Sequence, residues 1–180
     1  ATVVSSLSAV QLTSAEFSQL GSLLVSPVDG ARPLSVFQAT FGLRMSGGTC
    51  GEGGVAGHCG AEGVSFVYGM LPNVAFGEEG VGSGLRVSFL TVGTPRIEVT
   101  HEYVLLVSVS APSLRPPQPR FVAVEVLYQA TGLTVTCDGA HLVSNLTIPR
   151  WEPRSGWRFG FGARTSSSFD QHLISAVSIV

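Results

Sequence analysis

Trp157-Arg158-Phe159-Gly160-Phe161-Gly162-Ala163-Arg164-Thr165, then Ser166-Ser167-Ser168-Phe169-Asp170, then Gln171-His172-Leu173-Ile174-Ser175-Ala176-Val177-Ser178-Ile179-Val180, end the chain. Apolar residues alternate with polar or small ones through the first and last of these stretches. That period of two marks half-buried strands, because successive side chains of a strand point to opposite faces. The short polar run between them reads as a hairpin-like loop, so the expectation is a closing strand pair.

Working back from this end, strand-length apolar runs recur at Leu34 to Leu43, Val64 to Tyr68, Leu85 to Val92, Arg96 to Thr100, Tyr103 to Val109, Phe121 to Gln129, Leu133 to Cys137 and His141 to Ile148. The 22 glycines and 10 prolines supply the turns between them. Phe121 to Gln129, Leu133 to Cys137 and His141 to Ile148 read as a three-strand meander. Its second turn carries Asp138-Gly139, a pair suited to a tight hairpin with positive φ. Ala111 to Pro119 is Pro-rich and reads as an exposed extended connection. Only Ser14 to Leu20 offers a helical turn, with Ser14 as N-cap and Glu16 in the first turn. Many short strands with few helices predict an all-β antiparallel sandwich of jelly-roll type.

At 180 residues the chain is long enough for one well-buried core, so residues 1–180 are expected to form a single domain within what could be a larger extracellular protein. The formal charge is −2, and every one of the 10 basic residues is arginine. Without clustered positive charge there is no electrostatic case for nucleic acid or anionic lipid. Mean hydropathy is +0.37, yet no apolar run reaches the roughly 18 to 20 residues a helical span needs, so no membrane insertion of this domain is expected. The chain opens at Ala1 without a charged-then-apolar leader, as a processed chain or a piece of a longer one would.

Of the three cysteines, Cys50 and Cys59 bracket a Gly-rich loop that a local disulfide can staple. A zinc reading of Cys50, His58 and Cys59 is weaker, since adjacent His58 and Cys59 are awkward partners for one ion and a fourth ligand is missing nearby. Cys137, between two strand-like runs, reads as a small buried hydrophobe or as a bridge to a partner. Asn145-Leu146-Thr147 is an N-glycosylation sequon. Together with the disulfide it favours an extracellular or cell-surface setting.

Taken in order, these segments resemble one superfamily, the concanavalin A-like L-type lectins. The G-F-x-A-x-T run, a short loop, an acidic residue and an H-x-I-x-x-V-x-I strand of its members are similar to Gly160 through Ile179. Ala9-Val10-Gln11-Leu12-Thr13 with Pro33-Leu34 to Phe41 resembles their opening, and Ala61-Glu62-Gly63-Val64-Ser65-Phe66-Val67 their A-D-G-I-x-F-V strand. Gly80 to Phe89 looks like their Gly-rich loop and following strand, and the meander through Gly132 and Asp138-Gly139 matches another shared region. The resemblance implies a concanavalin A-like jelly roll from Ala9 to Val180.

It also implies a place for a ligand. Glu62 stands at the position of the family's sugar-contacting Asp, and with the Gly82 backbone and the Arg164, Thr165 and Ser166 segment it would form a shallow carbohydrate site. The bland alternative makes Glu62 a solvated residue at a strand start. Calcium-dependent members carry an Asp after the strand matching Val87-Ser88-Phe89, with Asn and Asp beyond, because a hard cation needs several oxygen ligands. Here Leu90 takes that place, so no metal and no other cofactor is expected. His172 matches a His at the start of the family's last strand and reads as a structural hydrogen-bonding group. Trp151 and Trp157 read as a stacking platform or as a cap over the sandwich edge, with Trp157 in the core.

Catalysis finds little support. Glycoside hydrolysis needs two carboxylates about 5 to 9 Å apart across a cleft, whereas Glu78-Glu79, adjacent in a strand, would face opposite ways. Glu98 and Glu102 flank His101 as a solvated strand and turn, and no Gly-x-Ser-x-Gly elbow is present. Two readings follow. In one the chain is a non-catalytic extracellular lectin-like module for adhesion or structural assembly, with protein neighbours meeting its apolar surface. In the other it is a metal-independent lectin that binds glycans.

Overall fold

A computed structural model describes residues 1–47, 62–81 and 83–180. The expected Cys50–Cys59 disulfide, the zinc reading through His58 and the Gly82 backbone lie outside the described residues.

The fold is a sandwich of two antiparallel sheets. The seven-stranded sheet runs β1 (Thr2–Val4), β2 (Ala9–Thr13), β13 (Gln171–Ile179), β4 (Phe37–Ser46), β9 (Val122–Gln129), β10 (Gly132–Cys137) and β11 (Ala140–Leu146). Facing it, the six-stranded sheet runs β3 (Leu20–Leu24), β12 (Arg158–Arg164), β5 (Gly63–Gly69), β6 (Gly84–Leu90), β7 (Arg96–His101) and β8 (Val104–Ser110). The meander is present as β9-β10-β11, and its tight turn places Asp138 at φ 48° and Gly139 at φ 79°. Both values suit a type I′ turn, whose twist matches the strands it joins.

Alternation along the strands builds the core. Phe37 and Phe41 on β4 meet Phe66 and Tyr68 on β5 and Phe159 and Phe161 on β12 across the sandwich. Phe41 and Phe161 pack edge to face at 4.9 Å, and Tyr68 and Phe159 stack at 4.4 Å, geometries that add to area burial. Cys137 is fully buried on β10, and burial pushes its thiol up to about 12.

Three expectations are corrected. The last two strands are not partners: β12 pairs with β3 and β5, while β13 pairs with β2 and β4 in the opposite sheet. The serine run between them crosses from one sheet to the other. A period of two reports which face is buried and not which strand lies alongside. Secondly, Ser14 to Leu20 is not helical. It is a turn between β2 and β3, with Ser18 at φ 53° and Leu20 already in strand. Thr165 holds it there, donating its hydroxyl to the Glu16 carbonyl at 2.7 Å and accepting the Gln19 N–H at 2.8 Å. Thirdly, the Pro-rich connection is only partly exposed, since Ala111 and Leu114 are buried against the core around a short 3-10 turn, Pro112–Leu114.

One loop shapes the outer face of the six-stranded sheet. Residues 70–81 fold back over β12 and β5, where Phe76 and Leu71 pack with Val67 as a second small core. Glycine at 160 and 162 makes this possible. A Cβ at Gly162 would stand 2.3 Å from the Phe76 ring. The loop is held at its far end by Ser65 Oγ donating to the Gly77 carbonyl at 2.8 Å and Ser88 Oγ donating to the Glu78 carbonyl at 2.7 Å.

Candidate carbohydrate-binding cleft

β5, β6, β7 and β12 end or begin together at one end of the six-stranded sheet. Gly63 lies opposite Arg164 on one side and Leu90 on the other, and Leu90 lies opposite Arg96. Glu62, one residue before β5, is therefore set among three strand ends. Along β6 and β7 the core takes Val87, Phe89, Ile97 and Val99, and alternation turns Arg86, Ser88, Arg96 and Glu98 to the outer face. The 70–81 loop adds Glu78 and Glu79. Glu62, Glu78, Glu79, Arg86, Arg96 and Glu98, with Ser88, Leu90 and Val92, line a cleft of about 210 Å³.

Most of the charge in this cleft is paired. Arg164 holds the buried Glu78 carboxylate with both nitrogens, at 2.7 and 3.2 Å, and reaches Glu79 at 3.6 Å. Glu78 and Glu79 thus converge on one guanidinium. They lie in a turn, closed by Gly80 N–H to the Gly77 carbonyl at 2.9 Å, and not in the strand that would have separated them. Burial pushes the Glu78 carboxyl above its ordinary range, against the opposing pull of the Arg164 hydrogen bond and charge. Arg96 donates to Glu98 at 2.7 Å. Arg86 donates to Thr100 Oγ1 at 3.1 Å; burial lowers its pKa, opposed by the charges of Glu79, Glu98 and Glu78. Its buried Nε–H has no hydrogen-bond partner among the described residues.

The segment expected beside Glu62 divides. Arg164 borders the cleft through its two glutamates. Thr165 is buried, and its hydroxyl is engaged with the β2–β3 turn on both sides. Ser166 donates its N–H to the Ser168 carbonyl at 3.1 Å and accepts from Ser18 N–H, so it belongs to the same turn contact. Arg86, Ser88 and Arg96 are cleft residues that the sequence did not single out, and Glu98, expected in a solvated strand, joins them. Their signal was the alternation in Gly84 to Leu90 and in Arg96 to His101.

The donor set does not suit a hard dication. Leu90, at the position where the resemblance would put a carboxylate, is buried. The neighbouring carboxylates are matched by guanidinium: Glu98 with Arg96, Glu78 with Arg164, and the fully buried Asp170 with Arg115. Among the described residues no group of three or more His, Cys, Asp or Glu is placed to hold a metal.

Behind the cleft, Asp170 also accepts from Thr91 Oγ1 at 3.3 Å. Next to it His172 is wholly buried, with Nδ1 2.6 Å from Thr13 Oγ1, which itself donates to the Asp170 carbonyl at 3.3 Å. That chain is consistent when Nδ1 carries the proton, because the Thr13 hydroxyl has one hydrogen to give. Burial first, then the charge of Arg115, lowers the His172 pKa to about 3. The unfolded chain therefore takes up this proton first as pH falls. The stability His172 contributes is complete above about pH 6.5 and is lost toward pH 3, by tenfold in the folding constant per unit. Between pH 7 and 4.5 the wild type should lose roughly 2 to 3 kcal/mol more than His172→Gln in urea unfolding. Equal losses in the two proteins would show that His172 takes up its proton in the fold.

The two tryptophans sit at the opposite end. Trp151 packs on Tyr128 at 4.3 Å and on His101 at 5.8 Å, and Trp157 is buried. They cap that end of the sandwich, away from Glu62. Glu98 and Glu102 are likewise separated, one in the cleft and the other in the β7–β8 turn.

Two facing sheets in this strand order, with the cleft on the outer face of the six-stranded one, define a concanavalin A-like lectin fold. The VIP36 exoplasmic/lumenal domain in its metal-free form is similar at TM-score 0.71 and 19% identity, over 96% of this chain and 79% of that one. Winged bean acidic lectin complexed with methyl-α-D-galactose is similar at TM-score 0.71 and 17% identity, over 98% and 87%. The carbohydrate recognition domain of Emp47p is similar at TM-score 0.66 and 15% identity, over 95% and 82%. No family model matches the chain. No curated protein matches it either.

Proposed function

We propose that this chain is a metal-independent carbohydrate-binding lectin whose ligand sits in the cleft around Glu62. The observation that carries this reading is the lining itself, in which carboxylates, guanidinium groups and a short apolar wall share one small concave surface. A sugar ring presents hydroxyls that donate and accept together with apolar C–H faces. Glu62 and Glu98 supply acceptors, the Arg86 and Arg96 guanidinium groups supply donors, and Leu90 and Val92 supply the wall. Hydrogen bonds to charged groups are the stronger ones, which suits a shallow site. Gly82 would add a backbone group, and Arg164 and Ser166 the rim, with Thr165 holding that rim in place. Structures of the VIP36 domain with mannose and with Man3GlcNAc, in calcium-bound form, lend support from the same fold. In this chain the ordering of the cleft falls to arginine. No catalytic role is assigned.

The setting that fits is the secretory pathway or the cell exterior. The VIP36 domain is exoplasmic or lumenal, and the Asn145 sequon is exposed on β11, open to glycosylation. A second reading, adhesion or structural assembly with protein neighbours, is favoured by the exposed apolar run at Tyr103, Val104 and Leu105.

A glycan array probed with calcium and again with EDTA tests the first reading. The expected result is equal binding in both, weakened at least about tenfold by Glu62→Ala through loss of a charged hydrogen bond. Folded protein that binds nothing in either condition, or binding that EDTA abolishes, would overturn it.

A further inference from the structure

Four strands end their sheets: β1 and β11 in one, β3 and β8 in the other. An open edge offers a row of N–H and C=O groups to another chain unless it is short, distorted along its length or charged. β1 has 3 residues and β3 has 5. β11 is irregular, with two register shifts against β10 and Asn145 at φ 50°. β8 has 7 residues, Val104-Leu105-Leu106-Val107-Ser108-Val109-Ser110, without charge or proline. Among the described residues no strand lies on its outer side. Tyr103, Val104 and Leu105 at its start are 74, 60 and 54% exposed.

The bulge in β8 decides what fits there. Val99 lies opposite Val107 but Thr100 lies opposite Leu105, so Leu106 is the extra residue. Leu106, Val107 and Val109 all pack toward the core. Val104, opposite the buried His101, shares that side, whereas Leu105, Ser108 and Ser110 stand with Thr100, Glu98 and Arg96 on the outer side. A regular strand paired antiparallel with its own copy about a point between two residues would set inner residues against outer ones. With the extra residue the faces agree. About the point between Leu106 and Val107, Val104 meets Val109 of a second copy, Leu105 meets Ser108 and Leu106 meets Val107, inner with inner and outer with outer.

We propose that β8 is a self-pairing edge, and that two copies of this chain join through it as a two-fold dimer whose six-stranded sheets run on into one another. The occupant is a second copy because this register is self-complementary and needs no charge from a partner. The cleft around Glu62 lies on the outer face of the same sheet, so both clefts of the dimer open on one continuous surface.

Sedimentation equilibrium on the whole chain tests this. Wild type is expected at twice the 18.8 kDa chain mass. Leu105→Glu, at an exposed position, should leave the far-ultraviolet circular dichroism unchanged and weaken the dimer roughly 100-fold, because each two-fold contact buries the charge in both copies. Adding Ser108→Lys places a lysine opposite each new glutamate, and the dimer should return. If Leu105→Glu fails to fold, Ser108→Lys alone, beside Glu98 on β7, should weaken the dimer in the same way. A wild type that stays monomeric at every concentration reached, or a dimer indifferent to these substitutions, overturns the proposal. Failure of the double variant to re-form the dimer overturns the register.

Discussion

Phe76→Ala is expected to lower unfolding free energy by about 3 to 5 kcal/mol, the range for emptying a fully buried aromatic site. The ring is 1% exposed, yet it belongs to the small second core and not to the space between the sheets. Its seat is the outer surface of β12, where Gly160 and Gly162 leave room. Gly162→Ala should therefore cost roughly 2 to 3 kcal/mol, as an added methyl forces the ring or the backbone to move. In the Phe76→Ala background the ring contact is gone, while the Gly77 carbonyl, 2.6 Å from the same methyl, remains. There Gly162→Ala should cost less than in the wild type, a coupling of at least about 1 kcal/mol in a double-mutant cycle. Urea unfolding of the four proteins gives the answer, and additive losses would mean that ring and glycine do not share one contact. The cycle also bears on function. The 70–81 loop carries Glu78 and Glu79 into the cleft, and Phe76 with Leu71 is its apolar anchor.

The same glycines show what a sequence conveys. In Arg158 to Arg164 the alternation of Phe with Gly reads as a half-buried strand, and the Phe side does face the core. The Gly side is buried too, beneath a loop some eighty residues earlier in the chain, and no local pattern announces a long-range cover. Sheet membership is hidden for a similar reason. Alternation fixes the facing of β12 and β13 but is blind to the crossover at Ser166 to Ser168. At Ser14 to Leu20 a plausible cap and first-turn acid suggested a helix, and the hydroxyl of Thr165 overrode that weak preference. In the cleft, Glu62 was legible through resemblance alone. Arg86, Ser88, Arg96 and Glu98 were legible in principle, since each falls on the polar phase of a strand. A polar outer face is the ordinary condition of an antiparallel sheet, so only the fold-back of the 70–81 loop, which supplies the facing wall, turns that phase into a cleft.

Arg115→Ala is the second large effect, expected at about 3 kcal/mol, the low end for breaking a buried ion pair. Asp170 is fully buried, whereas the Arg115 side chain keeps 28% exposure, so the charge left behind is the one water cannot reach. Thr91 still donates to it, which keeps the cost from the top of the range. Arg115→Lys should recover part of the loss, because an ammonium restores charge without the planar fork. Asp170→Asn in the Arg115→Ala background should be much milder than in the wild type, since it removes the buried charge that has lost its guanidinium. The effect reaches the cleft through the chain. Thr91 lies between Leu90 and Val92, the apolar wall, and Asp170 closes the segment that begins at Arg164. One guanidinium thus ties the β6 end, the connection after β8 and the entry to β13 into a single unit. Loss of Arg115 also removes the positive charge that helps burial keep His172 neutral, so the His172 pKa should rise in the variant. The test is urea unfolding of the three single variants and the Arg115→Ala/Asp170→Asn double at pH 7. A cost for Arg115→Ala below about 1 kcal/mol, the level of an exposed pair, would mean that Asp170 is satisfied without Arg115 and that arginine does not order this end of the sandwich.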